Sequence, residues 1–200
     1  MNFGIILSYV ITGFLLVAIL ATNANLNYSS SELTATQMKK NHSKAITEVI
    51  NHDIPKIGFN RVNIIDPAFV KADSNEIVFY SNIDNSADES VETISWKYTD
   101  TPAPGSKNPH DHILVREING DETEIDFGIT RFKIDYFDEY GGDTPMATPV
   151  SSGNLQNIKQ IEIELSVQTG FSLKSRSNPD GRYVTSTWIK RFSPVNLRDN

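Results

Sequence analysis

Two hundred residues leave room for one apolar segment and one further domain of ordinary size. The chain has no cysteine, which excludes disulfide frameworks, CxxC redox centres and thiolate-zinc sites. With 18 basic against 25 acidic side chains and a formal charge of −7, it offers no concentrated positive field for a phosphate backbone, so nucleic acid is not an expected partner.

Residues 3–21, FGIILSYVITGFLLVAILA, carry no charge. As a helix they rise about 28 Å, close to the hydrocarbon thickness of a bilayer. A secretory signal usually has a shorter apolar centre and a basic start. The small residues around 22–24 keep a cleaved signal as the alternative reading. The expectation is a transmembrane segment over 1–24, a short tail inside, and a domain over 25–200 outside the cytoplasm.

From residue 25 to residue 53 there is neither glycine nor proline. Leu26, Leu33, Ile46, Val49, Ile50 and Ile54, with Met38 and Ala45 nearby, predict an amphipathic helix with one narrow apolar face. Pro55 ends it, because the residue before a proline is pushed out of the α region. The Asn- and Ser-rich stretch over 23–31 is where a kink is expected. His42 and His52 fall on the polar side of this reading.

Beyond Pro55 the period changes from 3.6 to 2. Strands are predicted over 76–80, 92–98, 131–136, 158–169 and 183–192. Residues 112–118, Asn119-Gly120 and 122–127 read as a hairpin with a type I′ turn. In the clearest strand Ile161, Ile163, Leu165 and Val167 face one way, while Glu162, Glu164, Ser166 and Gln168 face the other. One face is dry and one is wet. Asn178-Pro179-Asp180-Gly181 reads as a turn, and 84–90, 101–111 and 138–157 as loops. The helix stripe and the dry sheet face need each other, which predicts an α+β fold: a long N-terminal helix, membrane half plus amphipathic half, packed on an antiparallel β-sheet.

That order of elements resembles the type IV pilins, and more closely the PilW/J-type minor pilins and type II secretion pseudopilins. ITEVINHDIPKIGF, residues 46–59, resembles the family's helix end, where an acidic and a basic residue precede a small residue and an aromatic. NEIVFY, then HILVRE, FGITRFKIDYFDEYG and NIKQIEIELSVQT, resemble its succession of strands. Ile5 to Ala21 holds no acid and no basic residue precedes Gly4, so the family's processing and N-methylation are not carried over. The resemblance implies a non-enzymatic assembly subunit of a type IV pilus or type II secretion machine. It would be held once in a bacterial inner membrane, its C-terminal domain in the periplasm or on the cell surface. Its partners would be other pilin or pseudopilin subunits, met through the N-terminal helix. The alternative is a signal-cleaved or membrane-anchored periplasmic β-rich binding protein or enzyme.

Among polar clusters, Asp138, Glu139 and Asp143 surround a glycine turn with hard oxygen ligands that suit calcium, although the spacing is not that of an EF-hand. Calcium-binding relatives among the pseudopilins point the same way; a solvated turn is the simpler reading. Asp84, Asp88 and Glu89 form a weaker version. His110 and His112 sit two apart in a loop, where a shared metal would need a third ligand. No GxSxG, HExxH or glycine-rich phosphate loop is present, and no catalytic set is expected.

Overall fold

The structure is a computed structural model that describes residues 3–86, 90–175 and 178–197. Its first element is a helix, α1 (Phe3–Asp53), unbroken through the stretch where a kink was expected. A 3-10 turn (Ile54–Lys56) follows, with Pro55 inside it. Proline's fixed φ suits the start of such a turn, and its missing N–H ends the α ladder there.

Ten strands follow. β1 (Phe69–Ala72), β2 (Glu76–Ser81), β3 (Glu92–Pro102), β4 (His112–Ile118) and β5 (Asp121–Ile125) form an antiparallel meander in chain order. β6 (Ile129–Phe137), β7 (Gln160–Gln168) and β10 (Thr185–Phe192) form a second antiparallel sheet with β7 in the middle. β8 (Leu173–Ser175) and β9 (Asn178–Arg182) make a separate two-stranded ribbon. The fold is α+β, and its strands divide between sheets where the sequence suggested one.

The β4–β5 turn is of the expected type, with positive φ at both Asn119 and Gly120. Asn178-Pro179-Asp180-Gly181 is not a turn: it lies within β9, paired with β8, and residues 176–177 between the two strands lie outside the described residues.

Ile161, Ile163, Leu165 and Val167 of β7 are all buried, as the alternation required. They share one core with residues of the five-stranded sheet and with Ile46, Ile50, Ile54 and Ile57 from the helix end. Each such isoleucine contributes about 1.5–3 kcal/mol through burial.

The stripe expected on α1 is corrected in two respects. Leu26, Leu33, Met38 and Val49 are exposed, whereas the buried residues are Ala35, Lys39, Ile46, Thr47, Ile50 and Asp53. At about 100° per residue, the thirteen steps from Leu33 to Ile46 turn the helix through about 220°. Leu26 and Leu33 therefore point away from the sheets that Ile46 and Ile50 meet. Val49, expected on the apolar face, is 38 % exposed, whereas Thr47, which was not part of the expected stripe, is 9 % exposed. The helix touches β7, β8 and β10, and that contact surface reaches around to Thr47 but stops short of Val49.

Candidate functional site

Three features organise the described residues: the uncovered helix, the joint that holds it, and a cleft beside it.

Every residue of 3–31 is exposed. The helix is long and apolar enough to cross a membrane, with no part of its apolar window buried in the protein. Water is a poor solvent for so many contiguous apolar side chains, so this face demands lipid or other apolar helices.

At its other end the helix is fastened by Asp53, which is fully buried. Arg116 grips the carboxylate with two hydrogen bonds, Nε to Oδ2 at 2.7 Å and an amino nitrogen to Oδ1 at 3.0 Å. The Trp96 indole N–H donates to Oδ2 at 3.0 Å. Trp96 and Arg116 are cross-strand partners in β3 and β4, which sets the guanidinium 5.9 Å from the indole ring. An acidic side chain in the last turn of a helix opposes the helix dipole; a bidentate arginine offsets that cost and satisfies the oxygens. His52 adds its Nδ1 at 3.1 Å from Oδ1, while its Nε2 accepts from Lys56 Nζ at 2.9 Å. Lys56 Nζ also donates to the Ile83 carbonyl, and Ser81 Oγ donates to the Lys56 carbonyl. Gly58 follows with φ +72°, where a Cβ would press on the Ala68 side chain at 3.1 Å. The acid, base and glycine of ITEVINHDIPKIGF are thus Asp53, Lys56 and Gly58, the residues that stitch α1 to the five-stranded sheet. The sequence held a signal for Asp53, an acid where helices disfavour one, but its partners lie 43 and 63 positions away.

The cleft, 460 Å³ in volume, opens between residues 35–42 of α1 and the loops at the ends of β3, β5 and β7. Met38, Phe127 and Phe171 supply apolar wall, and the His42 ring lies against Phe127 with centroids 4.4 Å apart. His42 is therefore half-buried against an aromatic rather than on a solvated face. Lys39 is buried and donates to the Thr185 carbonyl at 3.0 Å; burial, and then the charge of Lys40, lower its pKa from the usual lysine value. Asp111, also buried, accepts from the Gly128 N–H through Oδ2 at 3.0 Å, while its Oδ1 has no hydrogen-bond partner. An oxygen in that condition costs about 1–3 kcal/mol.

Asp138, Glu139 and Asp143 line one shallow hollow of 350 Å³ together with Gly142 and Met146. Among the described residues no three His, Cys, Asp or Glu side chains form a group that could hold a metal. The same holds for His110 and His112. His112 Nδ1 instead lies 3.0 Å from the His110 carbonyl oxygen and 3.3 Å from the Tyr98 hydroxyl. Asp84 accepts from the Ser86 N–H at 2.9 Å in a local turn, and Asp88 and Glu89 lie outside the described residues. The chain matches no family model, no curated protein and no solved structure.

Proposed function

We propose that the chain is a membrane-anchored assembly subunit, a minor pilin or pseudopilin of a type IV pilus or type II secretion machine. The reading places it in a bacterial inner membrane, with the sheet-bearing domain in the periplasm or at the cell surface. The observation that carries it is the single helix Phe3–Asp53, whose first part has no protein cover and whose last part is built into the core. A rigid rod of this kind transmits position from the bilayer to the body. Its uncharged surface is equally at home in lipid and against similar helices, so moving from one to the other costs little. Leu26 and Leu33 carry apolar surface past the membrane segment on the side away from the sheets, where a neighbouring helix can reach it. The helix also runs unbroken through residues 22–25, which favours an anchor over a cleaved signal.

The test is twofold. The mass of the mature protein is expected to show an intact start, or trimming after Gly4; loss of residues 1–24 would sink the reading. A photo-crosslinking residue at Leu33 is expected to give discrete protein adducts in cells, against none from Asp84 in the turn after β2. Monomer alone from both positions would leave an anchor without an assembly.

A further inference from the structure

Each of the two larger sheets has one covered edge and one open edge. Beside β1 the Val150 N–H donates to the Ala72 carbonyl, and the Ile134 N–H of β6 donates to the Ser74 carbonyl. The open edges are β5 and β10. Antiparallel bonding alternates along a strand. The bond from the Asn119 N–H to the Thr93 carbonyl assigns Leu114, Arg116 and Ile118 to β5, so the main chains of Glu122 and Glu124 point away from the sheet. The bond from the Thr169 N–H to the Val184 carbonyl likewise turns Thr185, Thr187, Ile189 and Arg191 outward. Lys39 occupies the Thr185 carbonyl, and among the described residues no main-chain bond reaches the others from that side. Glu122, Glu124 and Thr187 are exposed, and Ile189 is 59 % exposed. An open edge of this kind is a template for a further strand.

Charge selects which strand. Asp121, Glu122, Glu124 and the following Asp126 make no ion pair among the described residues, and Glu122 lies opposite Glu117. Such an edge repels a second copy of itself. β10 carries Lys190 and Arg191 and no acid. Glu162 and Glu164 beside it are matched by Arg191 and Arg131, while Lys190 meets only the neutral Asn51 side chain and the Phe192 ring. The helix gives both edges one ruler. Lys39 meets Thr185 and Asn51 meets Lys190, so β10 runs with α1. Asp53 meets Arg116, the partner of Thr123, and His42 meets Phe127, so β5 runs against α1. In two copies whose helices stand parallel at one height, β5 and β10 are therefore antiparallel, with Thr123 level with Lys190 to within about one residue. Bonding further requires outward main chain to meet outward main chain, which sets Glu122 opposite Arg191, Glu124 opposite Ile189 and Ile125 opposite Trp188.

We propose that β5 of one copy pairs antiparallel with β10 of a second copy of this chain, Thr123 lying beside Lys190. The contact uses a different edge on each copy, so it propagates head to tail instead of closing a dimer. It rests on the assembly reading for the shared membrane that aligns the helices.

The chain has no cysteine, so introduced ones report the contact without background. Thr123→Cys and Lys190→Cys are placed in separate, differently tagged full chains, mixed in lipid vesicles and treated with a mild oxidant. Directly opposite residues of a non-hydrogen-bonded pair have Cα atoms about 4.5 Å apart, within disulfide reach. The linked heterodimer should be at least about ten-fold more abundant than that from Thr123→Cys with Thr185→Cys, which is out of register and beyond reach. Adding Glu122→Lys and Glu124→Lys to the Thr123→Cys chain should lower the yield at least about five-fold, while relieving the repulsion from Glu117 within the fold. Equal yields in and out of register, or a yield unmoved by charge reversal, would overturn the proposal. Should either cysteine chain fail to fold, Glu124→Cys with Ile189→Cys reads the same register. Adducts at Leu33 in cells without these disulfides would overturn the edge contact and leave the assembly reading standing; disulfides without Leu33 adducts would do the reverse.

Discussion

Asp53 is the residue through which the helix end is committed to the five-stranded sheet. Arg116→Met would leave a buried carboxylate with only the Trp96 indole and His52 for company. Breaking a buried pair in this way costs about 3–5 kcal/mol, which urea denaturation should register as a large drop in midpoint. Asp53→Leu combined with Arg116→Met should recover part of that loss, because no charge then remains buried; a double variant worse than the single one would mean that the joint is held by something else. The helix face offers a second comparison. Thr47 is buried with its hydroxyl bonded to the Lys44 carbonyl, and Val49 sits at the rim. Asp at Thr47 should therefore lower the melting temperature more than Asp at Val49, and equal shifts would contradict the placement of the face. Tyr98 offers a third. Burial first, then the charges of Asp111 and Asp100, push its phenol up to about 12 from an ordinary 10.0. A raised pKa means that the folded state holds the proton more tightly, so this contribution is complete below pH 10 and is lost as pH rises toward 12. Burial also raises Tyr136 well above the ordinary value, so ultraviolet phenolate absorbance should show two late-titrating tyrosines, of which one disappears in Tyr98→Phe.

At the scale of elements, the β5–β6 connection depends on Gly128. Its φ is +83°, and a Cβ there would collide with the Gln168 carbonyl oxygen. Gly128→Ala should cost about 2–5 kcal/mol from strain and forced displacement together. Gly105→Ala, at a similar φ but in open space, should cost only about 1–2 kcal/mol; thermal melts of the pair check both. The helix, the strands β2 to β7 and β10, and the Asn119-Gly120 turn were legible because each rests on local periodicity or local turn chemistry. The division into two sheets was not, since it depends on pairings such as Ile134 with Ile163 that no local pattern encodes. The ribbon was missed because Asn178-Pro179-Asp180-Gly181 has the composition of a turn, and only its neighbour β8 makes it a strand. The helix stripe was misread for a geometric reason: spacings that each look helical can drift around the axis when one long gap is bridged. Asp53 left a local trace, an acid in the last turn of a helix, but its partners Trp96 and Arg116 are distant in sequence; Asp111 left none, because what distinguishes it is burial.

For the whole molecule, the central claim is that one helix serves two environments. Residues 3–21 are apolar and uncovered, in a helix long enough to cross a membrane, while Ile46, Ile50 and Ile54 of the same chain stretch belong to the core. The body's core runs from Ile46 to Phe192 and includes nothing from residues 3–21, so a chain beginning at Asn25 should fold. Amide hydrogen exchange tests this most directly, measured on the full chain in lipid nanodiscs and on the chain beginning at Asn25 in water. The account predicts that residues 46–54 exchange only by global unfolding in both, with protection over 3–21 in the nanodisc and progressive fraying between 25 and 35 in water. Rapid exchange of residues 46–54 in the shorter chain, as in a free helix, would contradict it.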